Sequence, residues 1–273
     1  MVTLPERFTA SESHNARDMA ESFGAHAAAY DRARPRYPSE LADRVLSETP
    51  TVSDAADVLD VGIGTGISAL PFRDRGARIT GVDVDARMAE FARARGFDVE
   101  VAKFEEWNSA GRDFDLVVAG QTWHWIDPVA GAAKAGSVLR PRGRLAVFWN
   151  VMQFPPELGA AFDAALARAL PGTPFARGIS AGLSGYASQL DKASAGIRDS
   201  GAFGKAEQWR FDWRREYTRD EWLDGLPTSG GFNELPAERL DPLLREIGQA
   251  IDVAGGSFTM DYAAMVVTAV RNG

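Results

Sequence analysis

The feature that most constrains this chain is an apolar strand running directly into a glycine-rich turn. Val58-Leu59-Asp60-Val61 is followed at once by Gly62-Ile63-Gly64-Thr65-Gly66, and a helical pattern continues through Leu70 and Phe72. Glycine turns sharply and lets backbone approach a ligand without a Cβ in the way. The start of the following helix offers N–H groups with no intrahelical partner. Such a unit places a nucleotide-like ligand at the C-terminal ends of parallel strands. Close packing of a strand on a helix uses the same turn, so the motif needs companions to carry a function.

The surrounding rhythm supplies the fold class. Short apolar runs at 58–61, 77–84, 99–102, 116–119 and 145–149 alternate with helical stretches, among them Met88, Phe91 and Ala92 and the segment 129–139. Nearly continuous apolar strands alternating with helices read as an open parallel sheet covered on both faces. Pro141-Arg142-Gly143 reads as a turn before the fifth strand. Ahead of this unit, 16–30 reads as a helix, and another starts at Ser39 as N-cap. After Asn150 the alternation stops. Residues 156–170 carry Leu158, Phe162, Leu166 and Leu170 on one helical face, and the Gly-, Pro- and Ser-containing stretch 171–185 reads as loop. Trp209, Phe211 and Trp213 alternate with polar residues as in a strand. Thr218-Arg219-Asp220-Glu221 is a capping box, Leu240 to Ile251 a helix, and 258–270 a last strand. These late strands predict an antiparallel addition at the sheet edge.

Two details separate this turn from the dinucleotide fingerprint Gly-x-Gly-x-x-Gly. The third fingerprint position is Ile67, and glycine stands at Gly66 instead. Asp60 lies two residues before the first glycine, where an anion repels a pyrophosphate and suits a ligand bearing an ammonium group. Asp83 ends the second strand, where an acid accepts hydrogen bonds from ribose hydroxyls; capping the next helix is its other reading.

Asp60 to Gly66, Gly81-Val82-Asp83, Phe114-Asp115-Leu116-Val117-Val118 and Leu139-Arg140-Pro141-Arg142-Gly143-Arg144-Leu145 together resemble the class I S-adenosylmethionine (SAM)-dependent methyltransferases over about 57–150. Residues 29–38 and 121–127 resemble the type 11, small-molecule branch more loosely. The resemblance implies a Rossmann-like, doubly wound, mostly parallel seven-stranded α/β sheet with an antiparallel edge strand and helical lid insertions. It implies an N-terminal tail with lid helices at 1–45, a SAM-binding core at 46–150, a helical cap at 151–205, and strands and helices at 206–273 that complete the same sheet. It implies SAM as cofactor, S-adenosylhomocysteine as product, and cofactor contacts at Asp60, Val61, Gly62, Gly64, Gly66, Asp83, Val84 and Met88. Lys103, Phe104 and Glu105 after the third strand, Gln121 after the fourth, and Tyr30 and Arg34 complete that set. Many family members carry an acid directly after the third strand; here Lys103 stands near that place, with Phe104 to stack on adenine and Glu105 as a substitute acid.

On the acceptor side, Trp107, Trp123, Trp125 and Trp149 fall at strand ends, where they either line an aromatic pocket or pack lid helices onto the sheet. His124 is the histidine at a strand end. A hydroxyl acceptor sheds a proton on transfer, which makes His124 a candidate general base; a structural or adenine-neighbouring histidine is the competing reading. Arg32, Arg34 and Arg36 with Tyr30 and Tyr37 form a cationic, aromatic segment suited to clamping a carboxylate of cofactor or substrate.

Composition narrows the rest. With no cysteine, thiolate chemistry and Cys-ligated metals are excluded, and His14, His26 and His124 are too scattered to read as a metal cluster. A net charge of −8 argues against nucleic acid as partner, as does the absence of an Asn/Asp-Pro-Pro-Tyr motif at Gly120-Gln121-Thr122-Trp123. No apolar run reaches the roughly 18 residues of a membrane span, and the first residues lack a signal-peptide pattern, so the expectation is a cytoplasmic protein away from membranes. The expected acceptor is a small molecule, aromatic or carboxylate-bearing, methylated on oxygen, nitrogen or carboxylate. The rival readings are a SAM-binding protein without catalysis and a nicotinamide-dependent oxidoreductase.

Overall fold

The structure, a computed structural model, describes Gly24, residues 27–229, Phe232 and residues 235–273. His14, His26 and most of the helix expected over 16–30 lie outside the described residues; its last part appears as α1 (Ala27–Ala33).

Seven strands among the described residues form one sheet: β1 (Asp57–Val61), β2 (Arg78–Asp83), β3 (Asp98–Val101), β4 (Phe114–Gly120), β5 (Leu139–Gln153), β6 (Glu207–Thr218) and β7 (Ser257–Val270). Their order is β3-β2-β1-β4-β5-β7-β6. The first five run parallel, and β7 pairs antiparallel with both β5 and β6. The chain leaves β1 on one side toward β2 and β3 and returns on the other side as β4. That reversal opens a crevice at the C-terminal ends of β1 and β4, where ligands of open α/β sheets sit.

Alternate residues of each strand serve opposite layers. Leu59, Val61, Val117 and Val147 pack with Ala132 and Ala135 of α5 (Pro128–Val138) and with Leu190 and Ile197 of α7 (Gly182–Asp199). Val58, Leu116, Val118 and Phe148 pack on the other face against Leu41 and Val45 of α2 (Ser39–Ser47) and Phe72 of α3 (Leu70–Arg73). A further cluster joins α6 (Pro156–Ala169), α8 (Arg219–Gly225) and α9 (Ala237–Val253) over the ends of β6 and β7, with Phe162, Trp222, Ile247 and Phe258 at its heart. The remaining helix, α4 (Ala86–Ala94), follows β2 and is capped by Asp85, whose carboxylate accepts from the Arg87 N–H.

Three local expectations change. α7 begins at Gly182, inside the stretch read as loop. Pro141-Arg142-Gly143 lies within β5 rather than before it: Arg142 takes a φ of 64°, and the β4–β5 register shifts between Phe114 and Leu116, so the turn residues make a bulge instead of ending the strand. α2 starts at Ser39, but the Ser39 hydroxyl donates to Glu40 at 3.1 Å and caps no backbone N–H. The capping box at Thr218 and Glu221 forms as read. Among the described residues no helix is long and apolar enough to cross a membrane, and no three His, Asp or Glu side chains group as metal ligands.

Candidate active site

The C-terminal ends of β1, β2, β4 and β5 border a cavity of about 630 Å³. Pockets that hold drug-sized ligands measure roughly 300–1,000 Å³. One end of the cavity is the turn after β1. Gly62, Gly64 and Gly66 have φ of 66°, 56° and 90°, a region that glycine alone enters without strain. A Cβ on Gly62 would lie 2.1 Å from the Thr122 methyl, whereas one on Gly64 would meet nothing among the described residues closer than the Gly62 carbonyl oxygen at 4.0 Å. The first glycine permits close packing, and the second leaves open the space a bound group would occupy. Gly66 packs on Phe97 behind the turn and does not line the cavity.

Asp83 ends β2 at the cavity wall. Its Oδ2 accepts from the Gly64 N–H at 2.7 Å and its Oδ1 from the Asp85 N–H at 2.8 Å. The helix N-cap is Asp85, which leaves Asp83 to the turn and the cavity. Burial pushes Asp83 up to about 6, against the pull of those N–H groups. Asp60 is fully buried one layer behind the cavity. Its Oδ2 accepts from Ser68 Oγ at 2.7 Å, and its Oδ1 has no partner among the described residues. Burial lifts it to about 8, with the Asp83 charge adding to the rise, so Asp60 is neutral at pH 7 in the free protein.

Val61, Val84, Met88, Lys103, Phe104, Glu105, Gln121, Tyr30 and Arg34 all line the cavity with Gly62, Gly64, Asp83 and His124. Phe104 is buried in a 3₁₀ turn after β3. Lys103 pairs with Glu106 at 3.4 Å, and Glu105 accepts from the Asp127 N–H at 3.3 Å. Gln121 holds a φ of 56° at the end of β4, where its side chain donates to the Asn150 carbonyl. A non-glycine residue kept in this region is strain of the kind found at ligand sites.

The four tryptophans separate. Trp125 lines the cavity and lies tilted against His124, their ring centres 4.6 Å apart. Trp107, Trp123 and Trp149 are buried in the core between sheet and helices. Trp149 donates its indole N–H to His124 Nδ1 at 3.3 Å. Burial lowers His124 to about 4. The ring is therefore neutral at pH 7, and with Nδ1 accepting, its proton sits on Nε2. Of the three arginines in the N-terminal segment, Arg34 lines the cavity. Arg36 pairs with Asp31 at 3.1 Å, and Arg32 donates to the Ala28 carbonyl.

The other end of the cavity carries Tyr37, which the sequence singled out with the arginine segment, and four side chains it did not: Tyr186 from α7, Tyr262 from β7, and Asn150 and Met152 from β5. Met152 and Tyr262 are register partners across β5 and β7, a pairing no local pattern reveals.

Residues 59–147 match a family model described as a methyltransferase domain. Over that segment the chain is similar to methyltransferase domains. An uncharacterized methyltransferase of Mycobacterium tuberculosis is 38% identical over 137 residues, covering 49% of this chain and 54% of that protein. The malonyl-acyl-carrier-protein O-methyltransferase of Enterobacter lignolyticus is 35% identical over 147 residues, covering 50% of this chain and 58% of that one. The chain spans about half the length of the curated relatives it matches. A solved structure from Anaeromyxobacter dehalogenans, described as a type II methyltransferase, superposes with a TM-score of 0.63 at 23% identity, over 87% of this chain and 97% of that one. That likeness concerns the fold. The matched segment holds the Gly62–Gly64 turn, Asp83, Phe104 and His124, and leaves Tyr30, Arg34, Tyr186 and Tyr262 outside it.

Proposed function

We propose that this methyltransferase binds SAM at the glycine-turn end of the cavity and transfers its methyl group to an oxygen, nitrogen or carboxylate of a small-molecule acceptor. The observation that carries the reading is the open space over Gly64, bordered by the Asp83 carboxylate, in a cavity of fitting size. When bound, SAM supplies a methyl group already activated on a sulfonium sulfur. The protein's part is then to bind and align, which supplies much of the acceleration in such a reaction.

The residues divide accordingly. Asp83 retains lone pairs on both oxygens to receive hydroxyl donors. Asp60, behind Ser68, carries an oxygen without a partner among the described residues, and an ammonium group brought near it would draw the buried carboxyl into its ionised, accepting form. Phe104 provides an apolar face, with Val84 and Met88 next to it. His124, neutral and protonated on Nε2, acts as a hydrogen-bond donor that orients the acceptor; its acceptor nitrogen is engaged by Trp149, which weighs against the general-base role. Arg34 and the tyrosines form the acceptor end and favour an aromatic or carboxylate-bearing molecule.

Calorimetric titration with S-adenosylhomocysteine and, separately, with NAD tests the cofactor assignment. Binding of the first and not the second is expected; binding of NAD alone would overturn it in favour of an oxidoreductase. Turnover of SAM with an acceptor panel distinguishes an enzyme from a protein that only binds SAM.

A further inference from the structure

We propose that the methyl acceptor is an organic acid with an apolar tail, its carboxylate held by Arg34 and its tail lodged in a second cavity beyond that side chain. The proposal rests on the methyltransferase reading above and names the acceptor class for that same site.

The second cavity has a volume of about 110 Å³ and shares Arg34, Pro35, Met152 and Tyr262 with the main one. Its far walls are apolar, with Ile179 from the segment between α6 and α7 and Trp222, Leu226 and Phe232 from α8 and the residues after it. Arg34 therefore stands at the neck between the tyrosine-lined main chamber and a smaller, more apolar one. An acceptor that fills both must itself be amphipathic, with its polar group at the neck.

Among the described residues the cation at the neck has no counter-ion. Arg34 Nη2 donates to the Thr228 carbonyl at 2.9 Å, and the guanidinium lies 4.7 Å from the centre of the Tyr30 ring. Its Nε is buried and has no acceptor among the described residues. Among the described residues no carboxylate forms an ion pair with it. Glu221 borders the second cavity, but its carboxylate accepts from Thr218 N–H at 2.9 Å and Thr218 Oγ at 3.1 Å. The four phenols that feel the Arg34 charge, those of Tyr37, Tyr186, Tyr217 and Tyr262, are all raised by burial and stay neutral. Tyr217 and Tyr262 satisfy each other at 2.7 Å. A buried guanidinium N–H without an acceptor costs free energy that a ligand oxygen recovers. The guanidinium fork matches a carboxylate better than any neutral group.

The test titrates phenyl-substituted straight-chain acids, from phenylacetate to 6-phenylhexanoate, and their amides into the protein with and without S-adenosylhomocysteine. The acids are expected to bind about tenfold more tightly than the matched amides, the scale of one charge-assisted hydrogen bond. Arg34→Met removes that preference. Ser229→Phe and Ile179→Phe, which fill the second cavity from two sides, move the tightest-binding chain length downward. S-adenosylhomocysteine affinity of these two variants reports that they fold. Amides binding as tightly as acids would overturn the carboxylate site, and an unchanged chain-length profile in both filling variants would overturn the tail site. Failure of S-adenosylhomocysteine to bind the wild type would overturn the cofactor reading instead, because acid selectivity is read separately in its absence.

Discussion

The backbone N–H of Gly64 donates to Asp83 Oδ2 across 2.7 Å, joining the end of β2 to the turn after β1. One carboxylate thus sets the shape of the glycine turn and faces the cavity. Replacing Asp83 with alanine is expected to weaken S-adenosylhomocysteine binding by about 10- to 100-fold, the scale of losing charged hydrogen bonds. Asp83→Asn should recover part of the loss by keeping one acceptor for Gly64. Calorimetry checks both, and an alanine variant with wild-type affinity would remove Asp83 from the cofactor site.

The two glycines of the turn should fail differently. Gly62→Ala sets a Cβ against Thr122 at a positive φ, and a loss of about 2–4 kcal/mol is expected from strain and clash together. Gly64→Ala meets only open cavity among the described residues and should lose about 1–2 kcal/mol from its backbone alone. Its S-adenosylhomocysteine affinity should nevertheless fall at least about tenfold. Thermal melting with and without the ligand separates the cases; a Gly64 variant with normal affinity would place the bound group elsewhere.

Stability should carry a signature of the buried acids. Burial raises Asp60 to about 8 and Asp83 to about 6 from an ordinary 3.8. Between those values the folded protein holds more protons than the unfolded chain. The stability associated with these two groups is therefore fully present below the ordinary value and declines as pH rises through the folded ones. Asp60→Asn removes the larger share. The variant should gain on the wild type between pH 5 and 8, by on the order of a few kcal/mol at the upper end. Urea unfolding at both pH values measures this, and the difference between the two proteins cancels Asp31, Asp57 and Asp85, whose depressed values act in the opposite sense. An identical difference at both pH values would mean that Asp60 ionises normally.

His124 should leave no imprint on the pH profile of turnover near neutrality. With its pKa lowered to about 4, the ring keeps one protonation state from about pH 5.5 upward. His124→Ala is expected to lower kcat about tenfold, as for the loss of one orienting hydrogen bond, with the ratio constant across that range. A limb near pH 6.5 that vanishes in the variant would restore the general base.

The sheet was legible because strands buried on both faces leave continuous apolar runs, as at Leu116-Val117-Val118-Ala119. The helix Gly182–Asp199 was not. Leu183, Tyr186, Leu190, Ala193 and Ile197 do recur at helical spacing, but Gly182, Gly185 and Gly196 dilute the signal. Gly196 is there for packing: a Cβ would lie 2.3 Å from the Pro128 carbonyl oxygen. A residue chosen for a close helix crossing looks, in sequence, like one chosen for a loop. The same limit applies to the site. Gly62, Gly64 and Asp83 belong to one local strand–turn–helix unit and announce themselves by spacing. Tyr262 reaches the cavity through a register with Met152, more than a hundred residues away in sequence, and the tryptophans divide by three-dimensional position alone.

The cavity wall is drawn from two populations of the chain. The glycine-turn end comes from residues within 59–147, whereas Tyr30, Arg34, Met152, Tyr186 and Tyr262 all lie outside it. Exchanging 27–38 and 150–199 between relatives would thus swap most of that second wall while leaving the glycine-turn end untouched. The molecule is modular by wall rather than by domain: one side of a single cavity can be held constant while the other is rebuilt.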